Sequence, residues 1–443
     1  MLGEYRIEGR RAAEIAASVE RAVGAGDLRP GQVLPPMREL AGQLGVNANT
    51  VASAYRLLRD RGVIETAGRR GSRVRPRPST TWRETIGVEV PEGGRDLATG
   101  NPDPALLPPL AEALAAAAAA GRDHPVLYGA PEISPALGRL ARDGFDADGV
   151  PPGPVAVTSG ALDAIERVLA AHLRPGDAVA VEDPGWGGLL DLVPALGLRP
   201  VPVAVDDDGP LPVAVAGALA DGARALVVTA RAQNPTGAAI GAGRAGELRR
   251  VLAAHPGVLL VEDDHGHHIV DLPPHPLGGT TEHWVLVRSV AKAYGPDLRL
   301  AVLTGDTVTV DRVRGRQRLG PGWVSHLLQD AVAHLWRTGA VDPAAVAASY
   351  GRRREALVRA LCERGVAACG RSGMNVWVPV PDETGAVTRM LGAGWAVAPG
   401  ARFRMDSPPG VRVTVSALTT EDIGPVADAL AAAAGPAPAT RLG

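Results

Sequence analysis

The chain has 443 residues, 46% of them hydrophobic and 21% charged, and a net charge of −2, which allows two or three globular domains and excludes a disordered or fibrous chain. Two cysteines, Cys362 and Cys369, are too few for a disulfide framework and wrongly spaced for a zinc site. No run of about 18 strongly apolar residues occurs, and the start, MLGEYRIEGRRAAEIAA, lacks the apolar core of a signal peptide, so a cytoplasmic protein is expected.

Charge is unevenly spread: residues 1–80 carry 14 arginines and 8 acids, a net of +6, which leaves −8 for the other 363 residues. A basic head on an acidic body is the balance of a nucleic-acid-binding module fused to a different domain. The head begins with an amphipathic helix over Ala12–Val23. Pro35-Pro36 starts a second helix, Met37–Leu44, which places Leu40, Ala41 and Leu44 on one face and stops at Gly45. Asn47 caps a third, in which Val51, Ala54, Tyr55 and Leu58 recur at helical spacing until Gly62. Val63–Glu65 and Ser72–Val74 then pair around Ala67–Gly71 as a small arginine-tipped wing. This is a winged helix-turn-helix plan, whose second helix of the pair enters the major groove of double-stranded DNA while the wing reaches phosphates.

The segment PGQVLPPMRELAGQLGVNANTVASAYRLLRDRGVIET resembles the DNA-binding domain of GntR-type bacterial regulators. The resemblance implies DNA contact by Arg38 and by the wing residues Arg69, Arg70 and Arg73. Members of that family often carry an arginine just inside the recognition helix, where Ala48 stands here; base readout is then expected from Asn47, Asn49 and Thr50. After the wing, 76–96 shows no helical or strand period and reads as a linker.

In the body, short apolar runs alternate with helical segments. AVAVED precedes a helix near Leu189, LRPVPV one near Val213, and RALVVTA one near Gly246; GVLLVEDD and HWVLVRS follow. That alternation predicts an α/β fold with a mostly parallel sheet covered by helices, and ligands beyond the carboxyl ends of its strands. Ser159-Gly160-Ala161 sits where a strand-like run meets a helix start, with free N–H groups suited to a phosphate. Asp263 closes one apolar run and Lys292 follows another. Lys292 is the only lysine among 46 basic residues, the rest being arginine. Surface charge tolerates that exchange, but an amine that must condense with an aldehyde does not, because guanidinium stays protonated and is a poor nucleophile. An aldehyde cofactor served by a lysine, a carboxylate and a phosphate cradle is pyridoxal 5′-phosphate. The cluster DDHGHH has no second ligand group at suitable spacing, so no metal site is expected.

Seven motifs in order make 97–443 resemble the aspartate-aminotransferase fold, type I of the pyridoxal phosphate enzymes. In YGAPE, Tyr128 is then expected at the phosphate, usually that of the neighbouring subunit, and SGA supplies Ser159, Gly160 and Ala161 to the phosphate cradle. EDPGW stacks Trp186 on the pyridine ring, QNPTG sets Asn234 beside the phenolic oxygen, and VEDD sets Asp263 on the ring nitrogen. SVAKAYGPDLRL gives Ser289 and Arg299 to the phosphate and Lys292 to an internal aldimine, and VRVTVSALT offers Arg412 to a substrate carboxylate. Where the family usually has a tyrosine bonded to the phenolic oxygen stands His265, which either donates the same hydrogen bond or shifts the ring's electronics, a departure that sets it apart from a full transaminase.

End to end the chain resembles the MocR subfamily of GntR-type regulators. The resemblance implies a winged helix-turn-helix at 1–75, a linker at 76–96 and a pyridoxal-phosphate-binding domain at 97–443. Within that domain a large part spans about 125–310, and a small part about 311–443 joins the 97–124 segment. It further implies a head-to-tail, domain-swapped homodimer and a sensor of the cofactor or of an amino-compound effector whose output is transcription. The alternative from another class is a working aminotransferase with a vestigial head; Ala48 leans toward it, His265 away.

Overall fold

The computed structural model describes residues 7–25, 27–28, 31–60, 63–66, 71–74, 83, 90, 93–122 and 125–434. The chain divides into two compact units. One is built on the N-terminal 82 residues with Leu173–Val179 and Asp191–Val201, the other on the remainder.

The head contains α1 (Ala12–Ala25), α2 (Met37–Leu44) and α3 (Ala48–Asp60), then the antiparallel strands β1 (Ile64–Thr66) and β2 (Ser72–Val74). Apolar residues at helical spacing close into one core: Ile15 and Val19 from α1, Leu40 from α2, and Val51, Tyr55 and Leu58 from α3. Gly45, at φ 65°, ends α2 as the spacing predicts. The Asn47 side-chain oxygen accepts the Asn49 N–H at 2.8 Å, which caps α3. Tyr55 donates its hydroxyl to the Pro35 carbonyl at 2.7 Å and fastens α3 to the turn ahead of α2. The first wing strand lies one residue later than expected, with Ile64 opposite Val74. Gly62, Arg69, Arg70 and most of the expected linker lie outside the described residues.

The body runs β3 (Arg95–Leu97), α4 (Ala111–Ala120), α5 (Pro135–Ala147), β4 (Val155–Thr158), α6 (Ala161–His172), β5 (Ala178–Asp183) and α7 (Gly187–Ala195). Next come β6 (Arg199–Asp206), β7 (Gly209–Pro210), α8 (Pro212–Ala220), β8 (Ala223–Thr229), α9 (Ala242–Ala253), β9 (Leu259–Asp263), β10 (His283–Ser289) and α10 (Ala291–Tyr294). The chain continues through β11 (Ala301–Gly305), α11 (Thr307–Arg318), α12 (His326–Thr338), α13 (Pro343–Glu363) and β12 (Asn375–Pro379). It finishes with α14 (Glu383–Gly392), β13 (Trp395–Pro399), β14 (Gly410–Thr414) and α15 (Ile423–Ala434). Eight strands form one sheet in the order β4-β11-β10-β9-β8-β5-β6-β7. β9 is parallel to both β8 and β10.

β11 departs from the expected pattern and runs antiparallel to β10 and to β4. The connection from Ser289 to Ala301 is too short for a helical crossover, so the chain turns back on itself. A second sheet, β12-β14-β13-β3, takes its edge strand from far upstream. Arg95 and Asp96, read from sequence as the end of the linker, are its first residues. Three residues are too few to show alternation, and this strand is held by partners distant in sequence: β13 alongside, and an Arg95–Asp422 ion pair at 2.6 Å.

Candidate functional site

Strand ends assemble the body's site. Ser289 pairs with Ala301, and Ala301 with Thr158, so the adjoining strands β10, β11 and β4 terminate together. The residues just beyond those ends therefore meet. Arg299, in left-handed conformation at φ 43°, donates to the Ser159 carbonyl at 3.3 Å. Gly160, at φ +100°, leaves space that a β-carbon would take 3.2 Å from the Arg299 guanidinium. Ala161 opens α6, whose first N–H groups face outward from the helix start, while Ser159 N–H is already taken by the Asp163 carboxylate at 2.9 Å. Ser289 is buried and accepts the Ala291 N–H at 3.2 Å. The expected phosphate residues other than Tyr128 thus come together, with a cation and a helix start among them.

Alternation along β9 sorts the run Glu262-Asp263-Asp264. Glu262 points to one side and accepts Leu277 N–H at 2.8 Å and Gly278 N–H at 2.7 Å. Burial pushes its carboxyl up to about 7. Asp264 accepts from Arg231 Nε and Nη2 at 3.0 and 2.8 Å and from Arg288 Nε at 3.0 Å; its full burial would raise its pKa, and the two guanidinium groups outweigh that and hold it well below the carboxylate range. Asp263, 3% exposed, faces the other way with Oδ2 on His265 Nδ1 at 2.8 Å, while its Oδ1 is buried without a hydrogen-bond partner among the described residues. A buried carboxylate oxygen left bare is costly, and a donor such as a protonated ring nitrogen would satisfy it.

His265 has a polar neighbour at each ring nitrogen. Its Nε2 faces the Ala232 carbonyl at 2.8 Å and its Nδ1 faces Asp263, so both ring nitrogens are committed and neither is left for a phenolic oxygen. Both neighbours accept hydrogen bonds and cannot donate, which requires a proton on each nitrogen. Burial opposes that charge, and the Asp263 carboxylate outweighs it, raising the His265 pKa above its ordinary value. A histidine ring is shorter than a tyrosine, and here it bridges the carboxylate two residues back and the Ala232 carbonyl.

Lys292, half-buried on α10, donates to the Gly100 carbonyl at 2.8 Å. Arg412 on β14 donates Nη1 to Asn234 Oδ1 at 3.0 Å and Nη2 to the Ala98 carbonyl, and lies over the Phe403 ring at 4.7 Å. Asn234 thereby keeps its amide nitrogen as the end that can donate. Gly100 touches both groups: a β-carbon there would lie 3.1 Å from the Arg412 guanidinium. Sequence reading missed Gly100; the turn signal GNP after β3 was its only trace. Trp186 is half-buried at the start of α7.

Tyr128 stands apart. It is 95% exposed, packs edge-on against Trp323 at 5.6 Å, and lines a cavity of about 920 Å³ that holds none of the residues just described. His267 and His268 stack at 3.7 Å, and His268 pairs with the Tyr294 hydroxyl at 2.8 Å. Burial first, then Arg288, holds His267 well below its ordinary pKa and His268 at about 4, so both are neutral. Among the described residues no group of three or more His, Cys, Asp or Glu is placed to hold a metal ion.

In the head, Arg38 and Asn49 are exposed at the starts of α2 and α3, and Asn47 is exposed beside them, its oxygen spent on the cap. Thr50 is half-buried, and so is Arg73, on β2 opposite Glu65. Among the described residues no helix is long and apolar enough to cross a membrane.

These features define a class: a winged helix-turn-helix joined to a type I pyridoxal-phosphate fold, whose bare Asp263 oxygen, Arg299-lined helix start and half-buried lysine fit that cofactor. The family model "Bacterial regulatory proteins, gntR family" matches residues 11–74, and "Aminotransferase class I and II" matches 94–430. The vitamin B6 salvage pathway transcriptional repressor PtsJ of Salmonella typhimurium is 40% identical over 95% of this chain and 98% of its own length. The transcriptional regulator TauR of Rhodobacter capsulatus is 27% identical over 92% of each chain. Among solved structures, the α-aminoadipate aminotransferase LysN of Thermus thermophilus superposes with a TM-score of 0.68 at 23% identity, over 80% of this chain and 95% of that one. The chain belongs to the MocR subfamily of GntR-type regulators, DNA-binding transcription factors with an aminotransferase-like domain for pyridoxal 5′-phosphate.

Proposed function

We propose that this protein is a cytoplasmic sensor of pyridoxal 5′-phosphate that represses a vitamin B6 salvage gene, with Lys292 as the point of covalent attachment. The observation that carries the sensing is the buried, bare Oδ1 of Asp263, an acceptor that a ring nitrogen can satisfy and that no described residue does. The repressor role rests on the 40% identity to PtsJ over nearly the whole of both chains. When bound, the cofactor supplies an aldehyde for the lysine amine and an electron-withdrawing ring.

Each residue has a role in holding it. The α6 start, Ser159, Ser289 and Arg299 take the phosphate. Asn234 donates to the phenolic oxygen, Trp186 covers the ring, and Arg412 orients a carboxylate by giving up the contacts it now makes to Asn234 and Ala98. With His265 committed to Asp263, the phenolic oxygen has one side-chain donor where a working aminotransferase usually has two, which favours retention over turnover. Tyr128, exposed and lining a cavity that none of these residues lines, serves the site of a second copy in a head-to-tail, domain-swapped homodimer, and two heads then read paired half-sites. Arg38, Asn49, Thr50 and the wing arginines contact the operator, and cofactor or amino-compound binding changes its affinity by favouring one arrangement of the heads.

The test measures operator binding by fluorescence anisotropy with and without pyridoxal 5′-phosphate, beside a turnover assay with amino donors and a keto acid. Cofactor-dependent specific binding without sustained turnover is the expected result. Many turnovers with no specific DNA binding would reverse the assignment.

A further inference from the structure

A second cavity, of about 340 Å³, lies between α13 and the loops at 269–272 and 371–373, and none of the cofactor residues lines it. It is large enough for a small metabolite. Arg354 on α13 forms part of its wall and is only 8% exposed. Its Nη1 donates to the Gly373 carbonyl at 2.8 Å, and its Nη2 lies 3.3 Å from Glu355, a side chain 72% exposed. Its Nε is buried with no partner among the described residues. The contrast with Arg231 and Arg288 is instructive, since these equally buried guanidinium groups share the buried Asp264 carboxylate at 2.8–3.0 Å. A buried guanidinium without a buried counter-charge is costly, and Arg354 has only a solvated one.

The remaining charges point the same way. Arg352 and Arg371 line the same cavity, so three arginines stand against Asp271 and Glu355, both exposed. Arg371 is already bound to Asp208 outside it. Ile269, Val270 and Leu272 supply an apolar wall for the carbon body of a ligand. We propose that this cavity is a second binding site, for a small oxyanion, carboxylate or phosphate monoester, held by Arg354 and Arg352. The wall also touches the cofactor site's supports: Ser372 Oγ accepts the Ala232 N–H at 2.9 Å, and the Ala232 carbonyl holds His265.

The test uses the full chain saturated with pyridoxal 5′-phosphate, so that the phosphate cradle is filled, and follows thermal unfolding as inorganic phosphate or succinate is added at constant ionic strength in chloride. The wild type should melt higher as either anion rises, with saturation, and the more effective of the two identifies phosphate or carboxylate as the natural group. Arg354→Met should melt no lower than the wild type without anion, because a buried, poorly compensated charge is gone, and should not respond to anion. Arg352→Ala, a surface change that leaves folding intact, should need about ten-fold more anion for the same shift. No saturable shift in the wild type beyond the chloride control overturns the proposal. Should Arg354→Met not fold, an Arg352→Ala response equal to the wild type's overturns it equally.

Discussion

The head and the body use polar side chains in opposite ways. In the head, Arg38 and Asn49 stand in solvent over a closed apolar core. In the body, Asp263 and Arg412 are 3% and 4% exposed and are hydrogen-bonded to His265, Asn234 and Ala98 before any ligand arrives. A long, charged polymer is met from outside, so its contacts cost the fold nothing. A small aromatic cofactor must be enclosed, and the groups that enclose it also hold the protein together. Binding and stability are therefore separable in the head and entangled in the body.

The largest effect expected is all-or-none. After borohydride treatment the wild type should gain the mass of one reduced cofactor and show an absorbance band near the visible edge beforehand; Lys292→Ala should show neither. If the variant keeps the adduct, the covalent assignment is wrong and the body binds its ligand some other way.

Next is a pH effect confined to the body. Burial raises Glu262 from 4.5 to about 7, so between those values the folded protein holds a proton that the unfolded chain has lost. Stability from this group is full below pH 4.5 and falls as pH rises through 7. Two and a half pKa units correspond to about 3 kcal/mol across the window. Glu262→Gln should remove that slope relative to wild type, leaving a pH-independent offset because Leu277 and Gly278 donate to different oxygens, one of which the amide replaces with an NH2 donor. Glu182, also raised to about 7 by burial, keeps its own slope in both proteins. His268, lowered to about 4, opposes them by losing stability as pH falls below 6.5, again in both. Urea midpoints from pH 4.5 to 7.5 measure the difference, and parallel curves would mean that Glu262 ionises in the fold as it does in the unfolded chain.

How far the sequence discloses each region follows from the same contrast. The head was legible almost to the residue, because caps, glycine stops and helical spacing are local: Met37–Leu44 and the Asn47 cap stand where the spacing puts them. The body's parallel strands were legible as apolar runs, and so were the residues just past their ends. What was not legible depends on partners distant in sequence. β11 went unread in the sequence, and its short connection to β10 makes it antiparallel and brings Arg299 to Ser159. β3 is a strand because β13 is beside it. His265 was read by its place in a motif, yet its hydrogen bonds are set by Ala232, 33 residues away.

In the head, Arg38→Ala should weaken operator binding about ten-fold at moderate salt and lower the slope of log affinity against log salt by about one, the signature of one lost phosphate contact. Its unfolding temperature should match the wild type, since the side chain is exposed. A matching loss of stability would mean that the head, like the body, spends its binding residues on its own fold.

The smallest effect probes the one place where the head's two roles meet. Asn47 is exposed on the expected DNA face, yet its oxygen is the cap of α3, accepting the Asn49 N–H at 2.8 Å. Asn47→Ala should therefore cost about 1 kcal/mol of stability in the head, the ordinary worth of such a cap. Asn47→Ser should restore most of it, because a hydroxyl caps as well while lacking the amide that reads a base. The pair separates the roles. If DNA affinity follows stability through both variants, Asn47 acts by holding the recognition helix; if serine restores the fold and leaves binding weak, the amide itself touches the operator. The second outcome would place readout at a position adjoining Ala48, where the guanine-reading arginine of related regulators is absent.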